Sequence, residues 1–308
     1  ETITVEDVLV LKTRLLFPLM IIFASSCYGI LATIVKLAMG EGYTSGEAIT
    51  SQYVFGFLLM LIIVLFKERK WPSINRSGAI TLFFAGFCTA MTGVVYGKAL
   101  IYLPASLAVV MLFQFTWIGT FIDCALKRRL PSRAETISLV ILFIGTILAA
   151  GVLDTDLSSI PLKGWIFGLL SALSFAIFIQ FNARRVEGVS NISRTFIISL
   201  VALTVISVAL NPEIVWNGKL TSGLWVYGLV LGLFGIVLPI ILFSIAAPKV
   251  GGALTSILSA TELPVAIIVS VIVLNETLTI LQAVGILFVL IGMTLPTYLS
   301  SRNVRTGS

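Results

Sequence analysis

The chain has 308 residues, 58% hydrophobic and 11% charged, with a net charge of +6. With a mean hydropathy of +1.10, it suits a solvent that is mostly lipid and leaves no stretch long enough for a soluble domain. The absence of histidine excludes imidazole metal ligands, His-based proton relays and Ser-His or Cys-His catalysis. No G-x-x-x-x-G-K-[ST] loop offers a nucleotide site, and nothing in the sequence asks for a metal or another cofactor.

Ten apolar segments follow one another, at residues 16 to 38, 47 to 66, 78 to 99, 105 to 125, 134 to 153, 162 to 182, 195 to 211, 223 to 246, 251 to 274 and 279 to 299. Most are near the twenty residues or so that a helix needs to cross the hydrocarbon. The first is long and lacks a small-residue cleavage site, so it reads as a retained span. It carries Ser25, Ser26 and Tyr28 near its middle, as candidate lining residues, and Lys36 near one end, where snorkelling is the simpler reading. The third segment ends with Tyr96 and Lys98, placed to form an outer gate.

In the fourth segment, Gln114 needs partners because an unpaired amide is costly in hydrocarbon. Its neighbours Phe115 and Trp117 can line a cavity or simply pack. Asp123, near the segment's end, is expected to pair with Arg128 or another nearby arginine. Gln180 and Asn182 close the sixth segment near the basic loops. Cys27, Cys88 and Cys124 lie inside apolar segments without CxxC spacing and read as small buried hydrophobes. Three glycine pairs, Gly93/Gly97, Gly164/Gly168 and Gly228/Gly232, suit close internal helix packing better than dimerisation.

Glu262, in the ninth segment, is the most informative residue. It lies about eleven residues past Gly251, about 16 Å into the bilayer at 1.5 Å per residue. A carboxylate there costs about 2.5 to 3.5 kcal/mol, so it should face protein or a watery cavity. Pro264 cannot donate a backbone hydrogen bond and should kink the helix, freeing carbonyls around Ala260. The plainer alternative is that Glu262 only fastens its helix to a neighbour.

Charge orders these segments. Lys12, Arg14, Lys67, Arg69, Lys70, Arg76, Lys127, Arg128, Arg129, Arg133, Arg184, Arg185, Arg194, Lys249, Arg302 and Arg305 fall on one side of a ten-span chain. Only Lys36, Lys98, Lys163 and Lys219 fall on the other. Since Lys and Arg are retained in the cytoplasm during insertion, both termini are expected inside.

The fourth and fifth segments resemble the ninth and tenth at an offset of 147 residues: Ala99 falls on Ala246, Ala105 on Gly252, Ser106 on Ala253, Glu135 on Gln282, Ser138 on Gly285 and Gly145 on Gly292. Two repeats of five spans, bounded at 1–155 and 156–308, would be inverted relative to each other, the arrangement on which alternating access rests. The offset sets Glu262 on Phe115, beside Gln114 and Trp117. One cavity wall would then offer a carboxylate and the other an amide and π faces, suited to an organic cation or a zwitterion.

The run Tyr96-Gly97-Lys98-Ala99-Leu100-Ile101-Tyr102-Leu103-Pro104-Ala105-Ser106, the Glu262-Leu263-Pro264 motif, Asn275-Glu276-Thr277-Leu278, and Tyr28-Gly29 followed by Lys36 together resemble the drug/metabolite transporter superfamily, specifically its EamA-type ten-helix carriers. The chain departs from that pattern where the family's helix-four proline is replaced by the Phe115-Thr116-Trp117 region, and where Lys127-Arg128-Arg129 replaces an acidic turn.

The expected fold is therefore an all-α integral membrane bundle of ten transmembrane helices in two inverted repeats. The expected activity is secondary transport of an amino acid, metabolite or drug-like cation, with Glu262, Gln114, Phe115, Trp117, Tyr28, Tyr96 and Ser25 lining the cavity and Pro264 at a kink. The resemblance implies export and a bacterial inner membrane, and Glu262 offers a route for coupling to protons. The partners expected are a small organic solute, membrane lipid and protons, with no nucleic acid, because the basic loops suit anionic lipid. A channel, or an embedded enzyme acting on a lipid-like substrate, is the alternative; the second needs clustered polar catalytic groups that the spans lack.

Overall fold

The computed structural model describes residues 5–68, 73–103, 105–149, 161–210, 213–274 and 278–305. Helices follow as α1 (Val5–Gly40), α2 (Ser45–Lys67), α3 (Arg76–Tyr102), α4 (Ala105–Phe113), α5 (Phe115–Leu126), α6 (Arg133–Ala149), α7 (Leu162–Ala183), α8 (Asn191–Leu210), α9 (Trp225–Gly232), α10 (Leu238–Val250), α11 (Gly252–Leu258), α12 (Glu262–Leu274) and α13 (Ile280–Arg305). No strand occurs among the described residues.

Local chemistry sets the ends. Thr44 and Glu47 form a capping box before α2, and Asn75 Oδ1 accepts from Gly78 N before α3. Gly251 ends α10 at φ +89, a conformation that favours glycine, while its N–H bonds to the Ala247 carbonyl at 2.8 Å.

Polarity is turned outside in. Leu65, Phe66, Phe83, Phe143, Leu200 and Ile272 are exposed on the bundle surface, while Ser25, Ser171, Ser199, Ser256 and Ser259 are buried. Many of these hydroxyls donate to a carbonyl three or four residues earlier, satisfying themselves without water. Eight helical stretches among the described residues are long and apolar enough to cross a membrane, and Ile280–Pro296 is a shorter apolar stretch. The expected fifth segment, 134 to 153, is helical over Arg133–Ala149, and its remainder, with the expected repeat boundary at 155/156, lies outside the described residues.

Structure bears on the repeat in three ways. Ser132 and Glu135 form a capping box before α6, and Thr279 and Gln282, each 147 residues on, form the same box before α13. Both offset-related helices, α4–α5 and α11–α12, are broken at matching positions: at Gln114 in one, and through a tight 3₁₀ turn at Ser259–Thr261 in the other. Finally, α6 and α13 cross antiparallel. Ser138 Oγ donates to the Gly292 carbonyl near one end, and a Cβ on Gly145 would approach the Gly285 carbonyl to 3.0 Å near the other.

The glycine pairs serve internal packing, as expected. Gly164 and Gly168 take up Leu103 and Met111, Gly228 and Gly232 take up Phe55 and the α2 backbone, and Gly93 and Gly97 face Tyr53 and Ile49. All three cysteines are buried.

Candidate functional site

Glu262 opens α12, directly after the 3₁₀ turn that ends the α11 half of the span. Pro264 lies in the first turn of α12, where a missing N–H does least harm. The 3₁₀ turn contains Ala260, whose carbonyl Pro264 leaves without its helical donor, and the hydroxyls of Ser259 and Thr261 bond back to the Thr255 and Leu258 carbonyls through it.

The Glu262 side chain is only half-buried, yet among the described residues it has no basic partner and accepts no hydrogen bond. It lies within electrostatic reach of the Tyr28 and Tyr96 phenols. The Tyr28 hydroxyl is buried without a hydrogen-bond partner among the described residues. Two polar groups, one half-buried and one buried, thus lie without a hydrogen-bond partner among the described residues.

An aromatic wall stands behind them. Tyr28 stacks on Phe243 at 6.0 Å between centroids and meets Phe175 edge-on at 5.8 Å. Phe175 in turn meets Phe115 edge-on at 4.7 Å and stacks with Phe178 at 5.8 Å, and Phe178 returns to Phe243 at 6.3 Å. Phe115, Phe178 and Phe243 are fully buried, so the cluster packs the core beside Tyr28.

Glu262 thus lies within electrostatic reach of Tyr28 and Tyr96, with Phe115 joined to Tyr28 through Phe175. Other candidates are engaged elsewhere. Gln114 donates to the Val110 carbonyl at 2.9 Å and accepts from Trp117 Nε1 at 2.6 Å, so its amide mends the break between α4 and α5. Trp117 is 39% exposed and packs on Phe121, which is also exposed. Ser25 is fully buried and donates to the Ile21 carbonyl. Lys98 is exposed and its Nζ lies 6.0 Å from the Phe167 ring centroid.

Sequence reasoning missed Phe175, Phe178 and Phe243 as parts of the wall; an aromatic spacing of three between Phe175 and Phe178 was the available signal. Asp123 pairs with Lys127 at 2.9 Å and Arg129 at 3.2 Å, the neighbouring arginine being Arg129 rather than Arg128. Arg129 also grips Glu135 through both Nη atoms, at 2.7 and 2.8 Å. That hydrogen bonding raises the affinity of the Arg129 guanidinium for its proton above the ordinary value.

Comparison with known proteins adds to this geometry. Residues 16–151 and 162–298 each match the profile of the EamA-like transporter family. No curated protein matches the chain. One solved structure, titled only as the crystal structure of a protein, superposes with a TM-score of 0.72 at 13% identity, covering 94% of this chain and 98% of that one. At that identity the likeness is one of fold.

Proposed function

The chain belongs to the EamA-like transporter family and is an integral membrane protein of transporter type, and on that premise we propose that it is a secondary active carrier for a small organic cation. Ten spans form two inverted five-helix repeats with both termini in the cytoplasm, the arrangement favoured by the lysine and arginine count and by the antiparallel crossing of α6 and α13.

One observation carries the reading. Glu262 is half-buried and has no basic partner among the described residues, within electrostatic reach of Tyr28 and Tyr96, and Tyr28 packs into an aromatic cluster. A carboxylate so placed is costly unless something arrives to pair with it. A solute cation does so when bound, and a proton does so when the solute has left, which couples the two fluxes through one group. In a bacterial inner membrane, where the proton gradient points inward, that exchange drives export.

A thermal-shift panel of quaternary and primary amines, amino acids, nucleosides and sugar phosphates tests the substrate class, since a ligand of the native state raises apparent stability by mass action. Amines should raise the midpoint and sugar phosphates should not. A response confined to anionic compounds would contradict the reading.

A further inference from the structure

The two ends of the bundle are not equivalent. At the end carrying Lys127, Arg128 and Arg129, α5 packs along α11, and α7 packs against both α10 and α11. Gln180 of α7 donates through Nε2 to the Gly119 carbonyl of α5 at 2.7 Å. Its amide also occupies the space beside Gly252 of α11, and the Ser256 hydroxyl fills the hollow beside Gly119. Ser256 lies six residues from Glu262, about 9 Å along a helix, toward the basic end.

The 147-residue offset names the mates of these residues at the opposite end. Gln180 falls on Thr33, Gly119 on Ala266 and Ser256 on Val109. Where Gln180 bonds across the bundle, the Thr33 hydroxyl is buried with no hydrogen-bond partner among the described residues. Where Gly119 and Ser256 are buried, Ala266 and Val109 are only partly buried. The mate of the α5–α11 packing, α12 with α4, and the mates of α7 with α10 and α11, α1 with α3 and α4, have at most glancing contact among the described residues, whereas α1 and α12, the mates of α7 and α5, stay packed. A symmetric occluded state would close both ends alike.

We propose that Gln180, Gly119, Gly252 and Ser256 form a gate that seals, at the basic end, the cavity expected at Glu262, and that this structure is the state open at the other end. Gln180 is the positioning residue: its side chain is the hydrogen-bonded wedge common to α5, α7 and α11. Opening requires that bond to break and α11 to leave the Gly119 hollow, while α4, through Val109, closes on Ala266 of α12 in turn. The inference rests on the carrier reading for its meaning, but its geometry is tested separately from any solute.

Cysteine pairs in a chain with Cys27, Cys88 and Cys124 replaced by alanine read that geometry. Gly119→Cys with Ser256→Cys should oxidise readily to a disulfide in native membranes, and Val109→Cys with Ala266→Cys several-fold less. Equal cross-linking of the two pairs would overturn the proposal. Because a side chain at Gly119 crowds Ser256, Ser256→Cys alone supplies a second measurement. A membrane-impermeant maleimide applied at the basic end should label it several-fold faster once Gln180→Ala is added, and an unchanged rate would equally overturn the gate. Neither readout depends on Glu262, so failure of the substrate reading and failure of the gate are distinguishable.

Discussion

Gly29 of α1 seats directly on the backbone of Glu262. A Cβ at Gly29 would stand 2.6 Å from the Glu262 carbonyl oxygen, 2.9 Å from Val265 Cβ and 3.0 Å from Ala266 N. Backbone cannot swing aside as a flexible side chain can, so the missing Cβ fixes the distance between α1 and α12, and with it the approach of Tyr28 to the carboxylate. Gly29→Ala should cost about 1–3 kcal/mol through overpacking and weaken binding of the preferred amine. Gly40→Ala, with nothing within 4 Å, is the control and should leave the melting midpoint in place.

The α6–α13 crossing makes a matching demand. A Cβ at Gly285 would strike the backbone of Ala149, and one at Gly145 would come within 2.8 Å of Phe288 Cβ and Val289 N. Gly285→Ala and Gly145→Ala should each lower the yield of folded protein and its midpoint in detergent, the first more, because it meets main chain alone. An unchanged midpoint in both would mean that the crossing is looser than the structure has it.

Arg129 holds two carboxylates whose side chains are only 5% and 12% exposed, Asp123 and Glu135. Arg129→Ala leaves Glu135 without its forked partner and should cost about 1–3 kcal/mol, the penalty of an unsatisfied buried group. Arg129→Lys keeps the charge but loses the two-pronged geometry, so its midpoint should fall between those of wild type and Arg129→Ala.

Gln114 and Glu262 should separate stability from binding. Gln114→Leu removes the bonds to the Val110 carbonyl and Trp117 Nε1. It should lower stability by about 1–2 kcal/mol while leaving amine affinity within two-fold or so. Loss of affinity in Gln114→Leu would instead return Gln114 to the pocket lining.

Charge and hydropathy made most of the architecture legible, because hydrocarbon punishes an unpaired polar group severely enough to leave a pattern. The same penalty singles out Glu262 in the sequence, and the short run Tyr28-Gly29 carries its neighbours. The break at Gln114 was not legible. It lacks the proline that marks the second repeat, and the amide that bridges it does so through contacts only three and four residues away. Facing was equally hidden: Trp117 sits two residues from fully buried Phe115 yet is 39% exposed, a distinction set by helix rotation. Gln180 read as a polar residue near a loop because its partner, the Gly119 carbonyl, is 61 residues away.

The carboxylate itself offers the most direct test. Purified protein in proteoliposomes, loaded with the amine that most raises thermal stability, should show saturable counterflow that depends on pH. Glu262→Gln should fold with an undiminished melting midpoint, lose at least tenfold in counterflow and lose the pH dependence of what remains. Counterflow and pH profile both unchanged in Glu262→Gln would contradict the account.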